Sequence, residues 1–385
     1  MKLSAVLLSL FSLGLYAPSL GEEGGPNSGS KARAAEVSYR ADAVAIDKAL
    51  SWLEEWPPGT DDKTGWWAGG AAGERWNTFL AAQAFLATGS SPIKGKYQDP
   101  LQRAFKLLQG DHLLGESDGG CSNWLLAMQA ALLGDLLEAG VAQKYRAEII
   151  VQGKRYAEFI RKYQIPRGGW GHHPFSEEEF EAEKTGAYPA DLLCLTNLMA
   201  YALLSMGRSG VPVERGVLQK TVACYELSLN ENGGVAYSSR NTNAEEPGRT
   251  AGAGYIFLRM LNEDSLREKK GDIRVLIDHI GKYLNTRWAE VGHGHGNVAT
   301  MHLWFGALYF YGEGEQKFEA FKDSLFTEWL EEQAEDGSYS FRKEAGLSDF
   351  TVAAEEGATS PALTALAAFV LQMHEGKAPC LQGLR

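Results

Sequence analysis

The stretch GERWNTFLAAQAFLATG, residues 73–89, decides how this chain is read. A polar turn runs straight into a helix-length segment that is apolar nearly all round and carries Asn77 near its start. A helix with no polar face must be covered by protein on every side. The construction recurs in NWLLAMQAALLGDLLEAG, DLLCLTNLMAYALLSMG, AGAGYIFLRML, ATMHLWFGALYFYG and ALTALAAFVLQM. The turns that introduce these segments are rich in glycine: GWWAGG (65–70), SDGG (117–120), RGGWG (167–171), NENGGVAY (230–237), GHGHGN (292–297) and EDGSYS (335–340). Tight turns need residues that tolerate positive φ, which accounts for the glycines without any appeal to function.

Before each turn lies a segment with a single apolar stripe at spacings of three and four. The stripes are Ile46, Leu50 and Leu53; Leu101, Phe105 and Leu108; Ile149, Gly153, Tyr156 and Ile160; Leu218, Val222, Tyr225 and Leu229; Ile273, Ile277, Ile280 and Leu284; Phe318, Phe321, Leu325 and Trp329. Six one-sided helices alternating with six fully buried ones predict an inner ring of helices wrapped by an outer ring, an all-α (α/α)6 toroid in one domain. In such a barrel the turns lead into inner helices that all start on one face.

The totals fit. The chain has 385 residues, 44% hydrophobic and 22% charged, enough for one large core. Residues 1–21 read as a signal peptide: Lys2, a short apolar stretch from Leu3 to Tyr16, then Ser19 and Gly21 where a cleavage site wants small residues. Residues 22–40 read as a flexible leader, 41–376 as the toroid and 377–385 as a C-terminal tail. An exported protein, periplasmic or extracellular, is therefore expected. A net charge of −12 argues against nucleic acid or an anionic membrane surface as partner. Cys121, Cys194, Cys224 and Cys380 show no CxxC spacing, so a zinc ribbon or thioredoxin-type pair is not indicated, and their pairing stays open.

Function is sought at the helix starts, where unpaired N–H groups and the positive dipole end converge. Candidate catalytic residues there are His172, His295, His302, Asp191 and Arg249; candidate ligand-binding residues are Trp66, Arg75, Asn77, Asp118, Trp170, His173, Tyr237 and Trp304. Bland alternatives stand beside them. Asn77, Asn123, Asp191, Thr250 and Asn297 are also suited to capping, and Trp170, Tyr237 and Tyr339 to packing between repeats. Two metal constellations are conceivable: His293, His295 and His302, whose imidazoles suit zinc, copper or iron, or Asp191, Cys194 and His302 as a zinc site with an open fourth position. The remaining option is metal-free acid–base chemistry, for which Glu355 and Glu356 offer further carboxylates or else form a solvated loop before the last inner helix.

The turns RGGWG and NGGVAY, and EQAEDGSYSF with Gln333, Gly337 and Tyr339, resemble a weakened form of the repeat of the terpenoid-cyclase and protein-prenyltransferase toroid superfamily. GRTAGAGYIFLRMLNE, GHGHGNVATMHLWFGALYFYG and EDGSYSF resemble an uncharacterised group of exported bacterial toroid proteins. The resemblance implies the fold and no activity. The Asp-rich DxDD acid motif of squalene-type cyclases is missing. Asp191 and Cys194 stand one residue further apart than the prenyltransferase Asp-x-Cys pair. Cys121 is followed by Ser-Asn-Trp where a thioester toroid has Gly-Glu-Gln, and the cysteine-glycine zinc motifs of lanthionine cyclases are missing. Two functions follow as expectations: an enzyme acting on a small molecule, glycan or peptide, or a non-catalytic ligand- or protein-binding module.

Overall fold

The structure, a computed structural model, describes residues 43–55, 70–108, 122–185, 191–240, 245–291, 298–330, 332–340 and 359–384. All lie in one compact unit, Ala43–Arg385. Its helices are α1 (43–55), α2 (Gly70–Ala87), α3 (Gln98–Leu108), α4 (Ser122–Ala139), α5 (Gln143–Lys162), α6 (Glu177–Lys184), α7 (Leu193–Arg208), α8 (Arg215–Ser228), α9 (Pro247–Met260), α10 (Lys270–Arg287), α11 (Ala299–Glu313), α12 (Glu315–Leu330) and α13 (Pro361–Gln372).

The inner ring is α2, α4, α7, α9, α11 and α13. Each touches the next, and α13 returns to α2 to close it. Burial follows the sequence pattern. Every residue from Leu193 to Met206, from Ala299 to Tyr311 and from Pro361 to Gln372 is buried, whereas α5 buries only the stripe Ile149, Gly153, Tyr156, Ala157 and Ile160. The fold is an (α/α)6 toroid, with the short acidic α6 inserted between α5 and α7.

Three turns repeat one set of contacts. Gly168, Gly233 and Gly337 have φ of 99°, 91° and 96°. A Cβ at these positions would lie 1.9 Å from the Lys220 carbonyl oxygen, 2.1 Å from that of His279 and 2.3 Å from that of Lys48, so each turn presses its backbone on the next outer helix. Gln164 Nε2 donates to the Gly168 and Val217 carbonyls at 2.9 and 3.0 Å, and Gln333 Nε2 to those of Gly337 and Ala45 at 3.1 and 2.8 Å.

Two residues past each glycine the chain is stitched to the following inner helix. The N–H groups of Trp170, Val235 and Tyr339 donate to the hydroxyls of Thr196, Thr250 and Thr364 at 3.3, 2.9 and 3.0 Å. Their carbonyls accept from Leu192, Glu246 and Ser360 at 2.8, 3.3 and 2.9 Å. Thr250 is therefore a stitch to the turn and not a cap; the residues at the cap positions of α7 and α9 are Leu192 and Glu246. The last of the three turns rests on α1 and so closes the outer ring.

Among the described residues, aromatic rings cluster on the barrel axis. Trp304 meets Trp76, Phe79, Tyr201, Tyr255 and Phe305 at centroid distances of 6.3, 5.1, 5.1, 6.4 and 4.8 Å. Toward the helix ends, the buried Asp135 accepts from Gln83 Nε2, Tyr201 Oη and Ser205 Oγ at 2.6, 2.6 and 2.5 Å. Burial pushes its pKa up against those three donors. Arg259 lies over the Tyr201 and Tyr255 rings and donates to the Cys380 carbonyl at 2.9 Å. The expected C-terminal tail is thus part of the barrel: Ala378, Cys380 and Leu381 are buried, and Arg208 and Asn262 hold the Gln382 and Gly383 carbonyls. Polar anchors, invisible to a hydrophobic-period search, hold this segment.

The turn contact makes a controlled prediction. Gly168→Ala should cost at least about 3 kcal/mol, because it adds a backbone clash to a left-handed conformation. Gly210→Ala, at φ 93° with open space around it, should cost only about 1 kcal/mol. Chemical denaturation of both variants measures the difference.

Candidate functional site

All the inner helices start at one rim, and the described polar residues gather there on α7, α9 and α11. Pro247 opens α9 with its pre-set φ. The first turn of α9 then projects Glu246 and Arg249 together, with Arg249 Nη2 2.7 Å from Glu246 Oε2. The guanidinium is almost wholly buried and lies 5.2 Å above the Tyr237 ring. Burial pushes the Tyr237 phenol above its ordinary pKa, with the nearby Cys194 adding to the rise. The sequence reading missed Glu246; its spacing of three from Arg249 and the proline after it were the available signals.

Tyr237 is fixed from beneath. Leu193 N–H donates to its carbonyl at 3.1 Å, and two residues on, Ser239 gives Asp191 both its N–H, at 2.7 Å, and its Oγ–H, at 2.9 Å. Cys224 Sγ stands 3.6 Å from the same carboxylate. Asp191 is buried, and both of its carboxylate oxygens accept from Ser239 in the 237–240 turn. Hydrogen bonds to a charged group contribute about 1.5–3 kcal/mol each, and removing the acceptor strands the donors. Asp191 therefore anchors this turn, and the cap of α7, one of the roles the sequence offers for Asp191 beside catalysis and metal binding, falls at Leu192.

His302 follows in the first turn of α11. Its ring presses on the α-carbon of Gly248, where a Cβ would come within 2.4 Å of it. Burial, with the Arg249 cation adding to it, pushes its pKa down to about 3, so the imidazole is neutral. Among the described residues neither ring nitrogen has a hydrogen-bond partner. Cys194 is buried at the start of α7, its thiol pushed up to about 11 by burial. Asp191, Cys194 and His302 do not converge: among the described residues no three His, Cys, Asp or Glu side chains lie together as a metal site. Cys194, Cys224 and Cys380 are free thiols.

Further round the rim, Trp124 Nε1 donates to His172 Nδ1 at 3.0 Å. His173 Nε2 lies 3.8 Å from Glu179 on α6. Trp170 is fully buried, and its indole donates to the Ile160 carbonyl at 2.7 Å, so it locks α5 to its turn. Trp304 belongs to the axial aromatic cluster. Asn77 is buried on α2, and Arg75 is half-buried on the same helix with its charge acting on Tyr156. Trp66, Asp118, His293, His295, Asn297, Cys121, Glu355 and Glu356 lie outside the described residues.

No family model matches the sequence, and no curated protein is significantly similar to it. Solved structures share its architecture. A family 76 glycoside hydrolase from a bovine Bacteroides thetaiotaomicron strain superposes with a TM-score of 0.56 at 11% identity, over 87% of this chain and 77% of that one. Cellobiose 2-epimerase from Bacillus thermoamylovorans gives 0.54 at 11%, over 86% and 97%. A type II terpene cyclase from Scytonema gives 0.50 at 15%, over 89% and 98%. At these identities the likeness is one of fold.

Because Asp191 holds the 237–240 turn, Asp191→Ala should destabilise the protein by about 2–4 kcal/mol. It should also raise amide exchange at residues 237–240. Unchanged exchange there would remove the anchoring role.

Proposed function

We propose that the protein is an exported enzyme that binds a glycan at this rim and acts on it by proton transfer. The observation that carries the reading is a division within the barrel: among the described residues aromatic rings pack edge to face around Trp304 on the axis, while the Tyr237 phenol, the Arg249 guanidinium and the Glu246 carboxylate gather at the rim. A long apolar substrate needs a deep apolar cavity. A glycan needs polar, directional contacts and aromatic edges near the surface, and the rim offers these. Several neighbours in fold are named for work on sugars, among them the family 76 glycoside hydrolase and the epimerase.

In this reading the Tyr237 phenol, protonated at neutral pH, donates its proton, and the Arg249 guanidinium over its ring favours the phenolate left behind. Arg249 stabilises negative charge developing on a sugar oxygen, and Glu246, partly exposed beside it, supplies the carboxylate that takes a proton. The leader and apolar N-terminal stretch support export, and among the described residues no helix is long and apolar enough to cross a membrane.

The test is a panel of neutral and acidic oligosaccharides incubated with the protein, with products read by mass spectrometry and NMR. Turnover by the wild type should fall by about 10²–10⁴-fold in Glu246→Gln and Tyr237→Phe. Saturable binding without conversion would replace the enzyme by a binding module, and no interaction with any glycan would overturn the reading.

A further inference from the structure

On the outer ring, α3, the start of α5 and the turn at Pro92 and Ile93 enclose an open cavity of about 240 Å³. On α3 the buried stripe of Leu101, Phe105 and Leu108 is flanked by Gln102 and Lys106, which share one face of the helix. Those two and Phe105 form one side of the cavity, and Lys144 and Tyr145 on α5 form another. The Phe105 and Tyr145 rings meet at 5.9 Å between centroids, inclined by 51°. With Pro92, Ile93 and Ala142 they make the lining largely apolar.

The backbone around the cavity is held by its own contacts. Ser91 and Lys94 exchange main-chain hydrogen bonds across the turn at 2.8 and 3.2 Å, and Arg146 ties the start of α5 to the Leu137 and Ser209 carbonyls at 3.4 and 3.3 Å. The polar side chains of the lining are not engaged in the same way. Among the described residues Lys106 and Lys144 form no ion pair, and the Gln102 amide makes no hydrogen bond. Lys144 Nζ instead lies 4.6 Å from the centre of the Tyr145 ring. Asp99 and Glu148, the nearest acids along α3 and α5, are exposed and lie outside the lining. Two cations and no acid therefore face the cavity, in a chain whose net charge is −12.

An apolar lining edged by two cations is complementary to a small apolar body that carries a negative charge. The volume sets its size: sites that enclose a drug-sized ligand run to about 300–1,000 Å³, so this one takes about a single ring. A sugar acid would bring several hydroxyls against a lining with one amide to meet them, and hydroxyls left unmet are penalised. An aromatic ring brings none and packs on Phe105 and Tyr145. We propose that this cavity binds an aromatic monocarboxylate, its ring against Phe105 and Tyr145 and its carboxylate between Lys106 and Lys144, with the Gln102 amide as a further donor. The site shares no residue with the rim and does not depend on the reaction proposed there.

Ligand-observed NMR titration of the full-length protein with benzoate, at about pH 7 and low salt, tests this. Benzoate should bind with a Kd of about 1 mM or below. Benzamide keeps the ring and loses the charge, and should bind at least about tenfold more weakly. Lys106→Met and Lys144→Met should each raise the benzoate Kd about tenfold. Ala142→Phe keeps both cations and fills the cavity, and should abolish binding; unfolding midpoints matching the wild type show that the variants are folded. Absence of benzoate binding, equal binding of benzamide, or affinity unchanged in both lysine variants would overturn the proposal. Galacturonate binding as tightly as benzoate would overturn the assignment of an aromatic ring. Failure of the rim to act on any glycan would leave all these outcomes untouched.

Discussion

The contact on which the molecule depends is backbone against backbone: a left-handed glycine in a turn, seated on a carbonyl of the next outer helix. An outer helix presents its neighbour with side chains of varied size, and ring geometry set by such surfaces would vary with them. A bare α-carbon on a carbonyl fixes the distance at Gly168, Gly233 and Gly337 whatever the sequence around them. The threonine stitch two residues later then fixes where the following inner helix begins. At each of the three such turns among the described residues, spacing around the ring and height along the axis are thereby set by one short stretch of chain, and the turn at Gly337 closes the ring on α1.

With the helix starts held level, the contents of the barrel divide by depth. Aromatic rings occupy the axis, where edge-to-face contacts add about 0.5–1.5 kcal/mol per pair beyond area burial. Farther down, Asp135 and Arg259 would each be costly alone in a dry interior. They persist because tyrosine, serine, glutamine and a C-terminal carbonyl meet them. At the far end the C-terminal segment packs over this pair, with its Cys380 carbonyl accepting from Arg259.

The alternation of all-apolar and striped helices made the fold legible in the sequence, because burial on every side leaves a pattern that no local turn chemistry can imitate. The site was legible only as a neighbourhood. Asp191 has the residue type and position of a ligand or a cap, yet its partners, Ser239 and Cys224, come from a turn and an outer helix that sequence spacing does not connect. Thr250 looks like a cap because caps and stitches draw on the same hydroxyl. Glu246 was passed over because a carboxylate beside a proline reads as loop. The C-terminal segment reads as a tail because its anchors are carbonyls, which every residue possesses.

The groups that hold the rim differ from the groups it presents. The turn bearing Tyr237 is tied through Ser239 to the buried Asp191 and through the Tyr237 carbonyl to Leu193 at the start of α7. Arg249 is set in turn by Glu246 and by the Tyr237 ring beneath it. The positions of phenol, guanidinium and carboxylate are thus fixed by buried contacts at the starts of α7 and α9, so the exposed residues around them can change without dismantling their support.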